Sequence, residues 1–130
     1  MVEMTQLNKA GRAETTVAAL NTAATMKSGS LPVFATPALI ALMEEAAVNA
    51  LDLRAGETSV GVLVHVAHTA ATPVGMRVWA EAKVTGQEGR KLFFHVSAAD
   101  ERGPVGEGRH ERVIVSEADF LAKARNKPGA

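Results

Sequence analysis

The alternation of apolar and polar residues predicts four β-strands in the second half of the chain. They are expected at residues 59–69, 75–84, 91–100 and 106–116, and the stretches TPVG, GQEGR and ERGP between them are typical of turns. Side chains two positions apart share a strand face. In the first of these strands, Gly61 is expected on one face and the other face carries Val60, Val62, Val64, Val66 and His68. In the last, the inward face carries Gly106, Gly108, His110, Arg112 and Ile114.

A long helix is predicted from Thr36 to about Leu53, ahead of these strands. Threonine followed by proline is typical of a helix start, because the threonine side chain can accept an early backbone N–H and proline lacks a donor where none is needed. Apolar residues cover nearly the whole circumference, so the helix is expected to be buried on most sides. Residues 13–26 predict a weaker first strand, and Ser116 is expected to cap a short helix at the C-terminal end.

The resulting order is one strand, one long helix and four antiparallel strands. This order predicts an α+β domain in which an antiparallel sheet wraps around one long central helix, the hot-dog fold. Residues 1–130 are expected to form this single domain, with residues 1–12 and 126–130 flexible. Such a domain leaves a sheet edge and a helix flank uncovered, so we expect a homodimer or a larger assembly.

Composition and charge narrow the possible partners. Fourteen Lys and Arg residues balance fourteen Asp and Glu residues, so neither a nucleic acid nor a membrane partner is expected. The chain has no cysteine and its four histidines lack metal-ligand spacing, so we expect no metal and no separate cofactor. Its polar start and the absence of a membrane-length apolar run favour a cytoplasmic protein.

Thr36, Glu44 and His68 are the residues that suggest chemistry. Taken singly, Thr36 could be an ordinary helix cap, and a lone inward histidine is more often structural than catalytic. Glu44 lies among apolar helix residues, where an ionised carboxylate is costly unless it is paired or hydrogen-bonded. Together, a hydroxyl, a carboxylate and an imidazole can activate a hydroxyl or a water for attack on a carbonyl. The adjacent Glu45 is expected to be exposed or at a subunit interface.

Four stretches give the sequence a family resemblance. VFAT, ALMEEAAVNAL, VAHTAATPVG and GEGRHERVIV, in this order and spacing, closely resemble the fluoroacetyl-CoA thioesterase and its hot-dog relatives. The resemblance implies an acyl-CoA thioesterase with CoA as part of the substrate and Thr36, Glu44 and His68 as the catalytic set. It also implies that Gly61 lines the acyl pocket and that Arg112 lies beside the site. Before the helix, where the resemblance implies aromatic lid residues, the segment TMKSGSLPVF offers only Phe34 as a substrate-binding aromatic.

Spacing places a constraint on this catalytic set. Thr36 and Glu44 are eight residues apart, which is about 12 Å along a helix and too far for a direct hydrogen bond. Either the substrate spans that gap or two subunits contribute, and the sequence therefore predicts a site at a dimer interface. Two other functions stay open at this point. One is a non-catalytic acyl-CoA binding or regulatory domain, and the other is a hydratase or dehydratase on the same fold.

Overall fold

The computed structural model describes residues 5–129, which form a five-stranded antiparallel sheet and a long helix packed on one of its faces. The strands are β1 (Ala10–Thr16), β2 (Glu57–His68), β3 (Arg77–Glu88), β4 (Lys91–Asp100) and β5 (Gly103–Ser116). The helices are α1 (Ala23–Met26), α2 (Thr36–Ala50) and α3 (Glu117–Arg125). The strand order is β1-β3-β4-β5-β2, so β1 and β2 are the edges. The predicted α+β hot-dog architecture is thereby confirmed.

The four strands predicted in the second half and the terminal helix are confirmed. Inward residues of β3 and β4 form the core against α2, among them Val78, Ala80, Leu92, Phe94 and Val96. Ser116 caps α3 as predicted, since its hydroxyl accepts a hydrogen bond from the Asp119 backbone N–H at 3.4 Å.

The first strand differs from its prediction in position and length. It begins at Ala10, inside the segment that was expected to be flexible, and it ends at Thr16. The residues after it turn instead, because the Asn21 side chain accepts from the Ala18 N–H at 2.8 Å and Thr22 caps the short helix α1. Upstream of β1, Gln6 is buried and its side chain bonds both backbone groups of Asp52, so this part of the chain is tied to the end of α2.

Helix α2 is shorter and more exposed than predicted. Thr36 is its first helical residue, while Ala35 is the N-cap and makes no side-chain cap bond. The helix stops at Ala50, because Leu51 is extended and the next backbone N–H donates to Gln6. Only one flank is buried, through Leu39, Leu42, Met43, Ala46, Ala47 and Ala50, whereas Glu45 and Val48 are exposed in the protomer. No helix within residues 5–129 combines the length and apolar character needed to cross a membrane.

A β-bulge in β2 reverses the predicted alternation of that strand. Gly61 pairs with Arg112, but Leu63 pairs with the adjacent Glu111, so Val62 is an extra residue. Val64, Val66 and His68 face inward with Gly106, Gly108 and His110, as predicted. Upstream of the bulge, however, the inward residues are Ser59 and Gly61, and the prediction that Val60 shares the His68 face was wrong. The bulge therefore places Gly61 and His68 on the same side of the sheet.

Gly11 provides a test of how closely α2 lies on β1. A Cβ atom at this position would overlap the backbone carbonyl of Ala46 and the backbone N of Ala50. Because helix backbone cannot move aside cheaply, we expect Gly11→Ala to lower the free energy of unfolding by about 1–3 kcal/mol. Denaturant unfolding measures this change. Gly29→Ala is the matched control, since its Cβ would meet only the Ala23 side chain at 3.4 Å. Equal stabilities for the two variants would contradict the close helix–strand approach.

Candidate active site

The start of α2 and the end of β2 bring Thr36 and His68 into direct contact. The Thr36 Oγ1 lies 2.7 Å from the His68 Nδ1, so the Thr36 hydroxyl makes this bond rather than capping its own helix. Burial lowers the pKa of the His68 imidazole from its ordinary value of 6.5, against a smaller opposing effect of the nearby Ala70 backbone. A neutral imidazole at neutral pH is the form that can accept the hydroxyl proton. The predicted pairing of a hydroxyl with a histidine thus has the geometry of a nucleophile and its base.

The second ring nitrogen of His68 is buried without a partner. Within residues 5–129 it is the one buried side-chain nitrogen or oxygen that makes no hydrogen bond. When Thr36 donates to Nδ1, the ring proton lies on this Nε2 atom, which then needs an acceptor. An unsatisfied buried donor is costly, so this atom marks a position where an acceptor would be stabilised.

A cavity of about 280 Å³ opens beside Thr36 and His68. Its other lining residues come from α1, the segment before α2 and the segment after β2: Ala23, Ser28, Val33, Phe34, Thr69, Ala70 and Ala71. Phe34 is only 2% exposed and its backbone N–H donates to the Thr72 carbonyl at 2.9 Å. This phenylalanine is therefore a fixed part of the cavity wall and of the core. A larger groove of about 630 Å³ lies around Gly11 and Lys83, and no predicted site residue lines it.

Glu44 has a specific partner, as its apolar surroundings predicted. Arg112 Nη1 donates to Glu44 Oε2 at 3.1 Å, and the side chains are 8% and 39% exposed, respectively. The arginine is held from its other side by Ser59, whose Oγ and backbone carbonyl accept from Nε and Nη2 at 2.8 and 3.0 Å. Gly61 lies against this pair, since a Cβ there would be 2.6 Å from Glu44 Oε2. Glu45, one residue further along α2, is exposed.

His110 completes the group around Arg112. Its Nδ1 lies 2.7 Å from the Leu63 carbonyl, and its Nε2 lies 3.2 Å from Arg112 Nη1. Sequence reasoning placed His110 on the inward face but assigned it no role, and it missed Ser59 altogether. The sequence did carry a signal. His110 and Arg112 are polar residues two positions apart on one face of a strand, and buried polar residues need hydrogen-bond partners.

The structure thus places the predicted residues in two groups. Thr36 and His68 form one group at the start of α2, and Glu44, Gly61 and Arg112 form the other two helical turns further on. Within the described part of the chain, none of the hydrogen bonds of Thr36, His68, Glu44 and Arg112 joins one group to the other. No cluster of side chains suited to a metal ion occurs within residues 5–129.

Comparisons with known proteins agree with the fold. Residues 17–118 match the family model described as fluoroacetyl-CoA-specific thioesterase (FlK). The fluoroacetyl-CoA thioesterase of Streptantibioticus cattleyicolor is 44% identical over 100 residues, which cover 75% of this chain and 72% of that protein. A structure of the fluoroacetyl-CoA thioesterase FlK superposes with a TM-score of 0.88 at 34% identity, over 95% of this chain and 97% of that one. A hot-dog-like protein from Thermanaerovibrio acidaminovorans gives a TM-score of 0.84 at 30% identity, over 95% and 93% of the two chains.

The fold and its relatives define a hot-dog thioesterase, an enzyme of the thioester hydrolase class. More specifically, the chain belongs to the fluoroacetyl-CoA-specific thioesterase family. The sequence prediction is confirmed at both levels.

Gly61→Ala tests whether the placement of Glu44 matters for turnover. The new Cβ would lie 2.6 Å from Glu44 Oε2 and 3.3 Å from Arg112 Nη1, so the flexible carboxylate must move. We expect the free energy of unfolding to change by less than about 1 kcal/mol, while kcat/KM for thioester hydrolysis falls about tenfold or more. Gly86→Ala on β3 is the control, because its Cβ would meet only Phe93 at 3.4 Å. Unchanged kinetics in Gly61→Ala would show that Glu44 can shift without consequence.

Proposed function

We propose that this chain hydrolyses small acyl-CoA thioesters to a free acid and CoA with Thr36, His68 and Glu44 as its catalytic residues. The observation that carries this assignment is the 2.7 Å contact between the Thr36 hydroxyl and the His68 Nδ1. Glu44 supports it because its carboxylate is held in place by an inward arginine and, at 39% exposed, is accessible to a ligand or to a second chain.

In the proposed reaction, the Thr36 oxygen attacks the thioester carbonyl carbon while its proton passes to His68 Nδ1. The backbone N–H groups of the first turn of α2 lie at the positive end of the helix, where they can stabilise the negative charge that develops on the carbonyl oxygen. The carbon–sulfur bond then breaks and the CoA sulfur takes the proton from His68. A water molecule, deprotonated by the same imidazole, hydrolyses the acyl ester and restores the Thr36 hydroxyl.

We further propose that Glu44 serves this reaction across a subunit interface. In one protomer, Glu44 lies about 12 Å along α2 from Thr36, and it bonds to Arg112 while Thr36 bonds to His68. A carboxylate supplied beside the Thr36–His68 pair by a second copy would stabilise the imidazolium that forms during attack.

The surface around β2 supports a homodimer of this kind. β2 is a 12-residue edge strand, and its Val62 and Val64 are 53% and 39% exposed. Val48 on the uncovered flank of α2 is 47% exposed. A long apolar edge strand favours pairing with another chain, and a second copy of β2 has the same length and character. We place this dimer in the cytoplasm, where acyl-CoA would be its partner.

The pocket favours a short acyl group without requiring fluorine. Its volume of about 280 Å³ is small, and Phe34 is held in the core rather than standing free above the cavity. We therefore propose that acetyl-CoA and other short acyl-CoAs are substrates alongside fluoroacetyl-CoA.

Free-thiol release from a panel of short, branched and aromatic acyl-CoAs tests the activity and its residues. We expect turnover of the short substrates, with a loss of about 100-fold or more in Glu44→Gln and in His68→Ala, because proton transfer would lose a partner in each. Glu45→Gln is the matched control, since that carboxylate is the exposed neighbour of Glu44. Binding of acyl-CoA without any thiol release would favour a non-catalytic domain instead, and consumption of an enoyl double bond would favour a hydratase.

Mixed dimers test the division of the site between subunits. Thr36→Val and Glu44→Gln chains, co-expressed with different tags and purified through both, should regain about half of the wild-type activity because one of the two sites has all its groups. Dimers of Thr36→Val with His68→Ala should stay inactive, since those two residues contact each other within one protomer. A Thr36→Val and Glu44→Gln dimer that is equally inactive would place the complete site within one chain.

A further inference from the structure

His110 is a buried titratable group to which the proposed reaction assigns no role. It is 1% exposed and lies on β5 between the Leu63 carbonyl of β2 and the Arg112 side chain. The Phe94 ring of β4 covers it at a centroid distance of 5.7 Å. A polar side chain so enclosed must have its hydrogen bonds fixed by its neighbours.

Those neighbours determine where the ring carries its proton. A backbone carbonyl can only accept, so the 2.7 Å contact with Leu63 requires a proton on Nδ1. A guanidinium can only donate, so the 3.2 Å contact with Arg112 Nη1 requires a lone pair on Nε2. The ring is therefore neutral in its Nδ1–H form. A proton added at Nε2 would point toward the Arg112 Nη1–H, and the imidazolium would then place a second positive charge beside the guanidinium.

The two bonds of His110 connect features on which the site depends. Arg112 Nη1 is shared between His110 Nε2 and Glu44 Oε2, so the imidazole fixes the nitrogen that holds the carboxylate. Leu63 directly follows the extra residue of the bulge, and that bulge turns Gly61 toward Glu44. The His110 ring thus holds both Arg112 and the bulge of β2 in place, and these two features together position Glu44.

We propose that His110 is a positioning residue whose neutral form aligns Arg112 with Glu44, and that protonating it switches off turnover. This inference rests on the proposed role of Glu44 in thioester hydrolysis. Protonation would repel Arg112 Nη1, release Glu44 from its 3.1 Å bond and weaken the bulge. The acid limit of activity is then set by two histidines, His68 as the base and His110 as the support of Glu44.

The charged groups around His110 shift its pKa in opposite directions. Burial lowers its pKa from the ordinary value of 6.5, the Leu63 carbonyl opposes this, and the nearby Arg112 charge lowers it further. Glu44 on α2 and Glu111 on β5 act to raise it. Since the net pKa is below that of the unfolded chain, the unfolded state binds more protons just below pH 6.5. Stability contributed by this group is therefore complete above about pH 6.5 and is lost as the pH falls toward the folded pKa.

The pH dependence of kcat/KM separates this role from a packing role. If His68 and His110 must both be neutral, log kcat/KM of the wild type should fall in acid with a limiting slope approaching 2. His110→Gln offers an amide N–H for Leu63 and an oxygen for Arg112 but takes up no proton, so it should keep much of the activity at pH 8 and show a limiting slope of 1. His95→Gln is the matched control, because His95 is an exposed histidine that contacts Glu107 at 3.4 Å on the outer face. It should leave the slope of 2 unchanged.

A spectroscopic readout on the wild-type protein does not depend on the variant folding or on turnover. Nitrogen-15 NMR of labelled histidine should show His110 as the neutral Nδ1–H form between pH 6 and 8. An Nε2–H form, a ring that titrates at its ordinary pKa, or an active His110→Gln enzyme that keeps the slope of 2 would each overturn the proposal. Absence of thiol release from the wild type, with the Nδ1–H signal present, would instead overturn the proposed thioesterase activity and with it the catalytic part of this role.

Discussion

The inward guanidinium of Arg112 is the constraint on which the rest of the site depends. A charge that is only 8% exposed is stable only when its donors are matched, and here Ser59, Glu44 and His110 provide the acceptors. Removing one partner of a fully buried ion pair costs about 3–5 kcal/mol, and solvent around the 39% exposed Glu44 reduces that figure here. The need to satisfy one cation thus accounts for two polar residues on the inner face of the sheet, Ser59 and His110, and for one on α2, Glu44.

This arrangement also explains how a carboxylate is tolerated on the buried side of α2. Glu44 is not an isolated charge among alanines, because it lies at the end of a hydrogen-bonded chain that begins at the Leu63 carbonyl. The Thr36–His68 contact at the start of the helix has no comparable support on its second nitrogen. The two groups lie two helical turns apart and share no hydrogen bond, and this separation motivates the assignment of the catalytic carboxylate to a second subunit.

Sequence periodicity predicted the regular parts of the fold well. In β3 and β4, strict alternation identifies residues such as Val78 and Phe94 as core, because successive side chains of a strand point to opposite faces of the sheet. The same rule failed at β2, where one extra residue reverses the faces, and no spacing rule marks Val62 as the irregular position. Thr36 was identified as a site candidate, but its hydroxyl bonds to His68 instead of capping the helix, since Ala35 occupies the cap position. His110 was given no role and Ser59 was missed, because the contacts that make them important, with Leu63 and Arg112 respectively, join residues far apart in sequence.

The bulge at Val62 makes the number of residues in β2 critical for the orientation of its side chains. Loss or gain of a single residue between Ser59 and His68 would exchange inside for outside over half of the strand, turning either the arginine-binding half or the histidine-bearing half to solvent. A length change in the turn at Gly89 would have no such effect, since this turn lies beyond the last paired residues of β3 and β4, Glu88 and Lys91. The chain should therefore tolerate many substitutions along β2 more readily than one insertion or deletion, so its evolution can vary the residues of this strand but not their number.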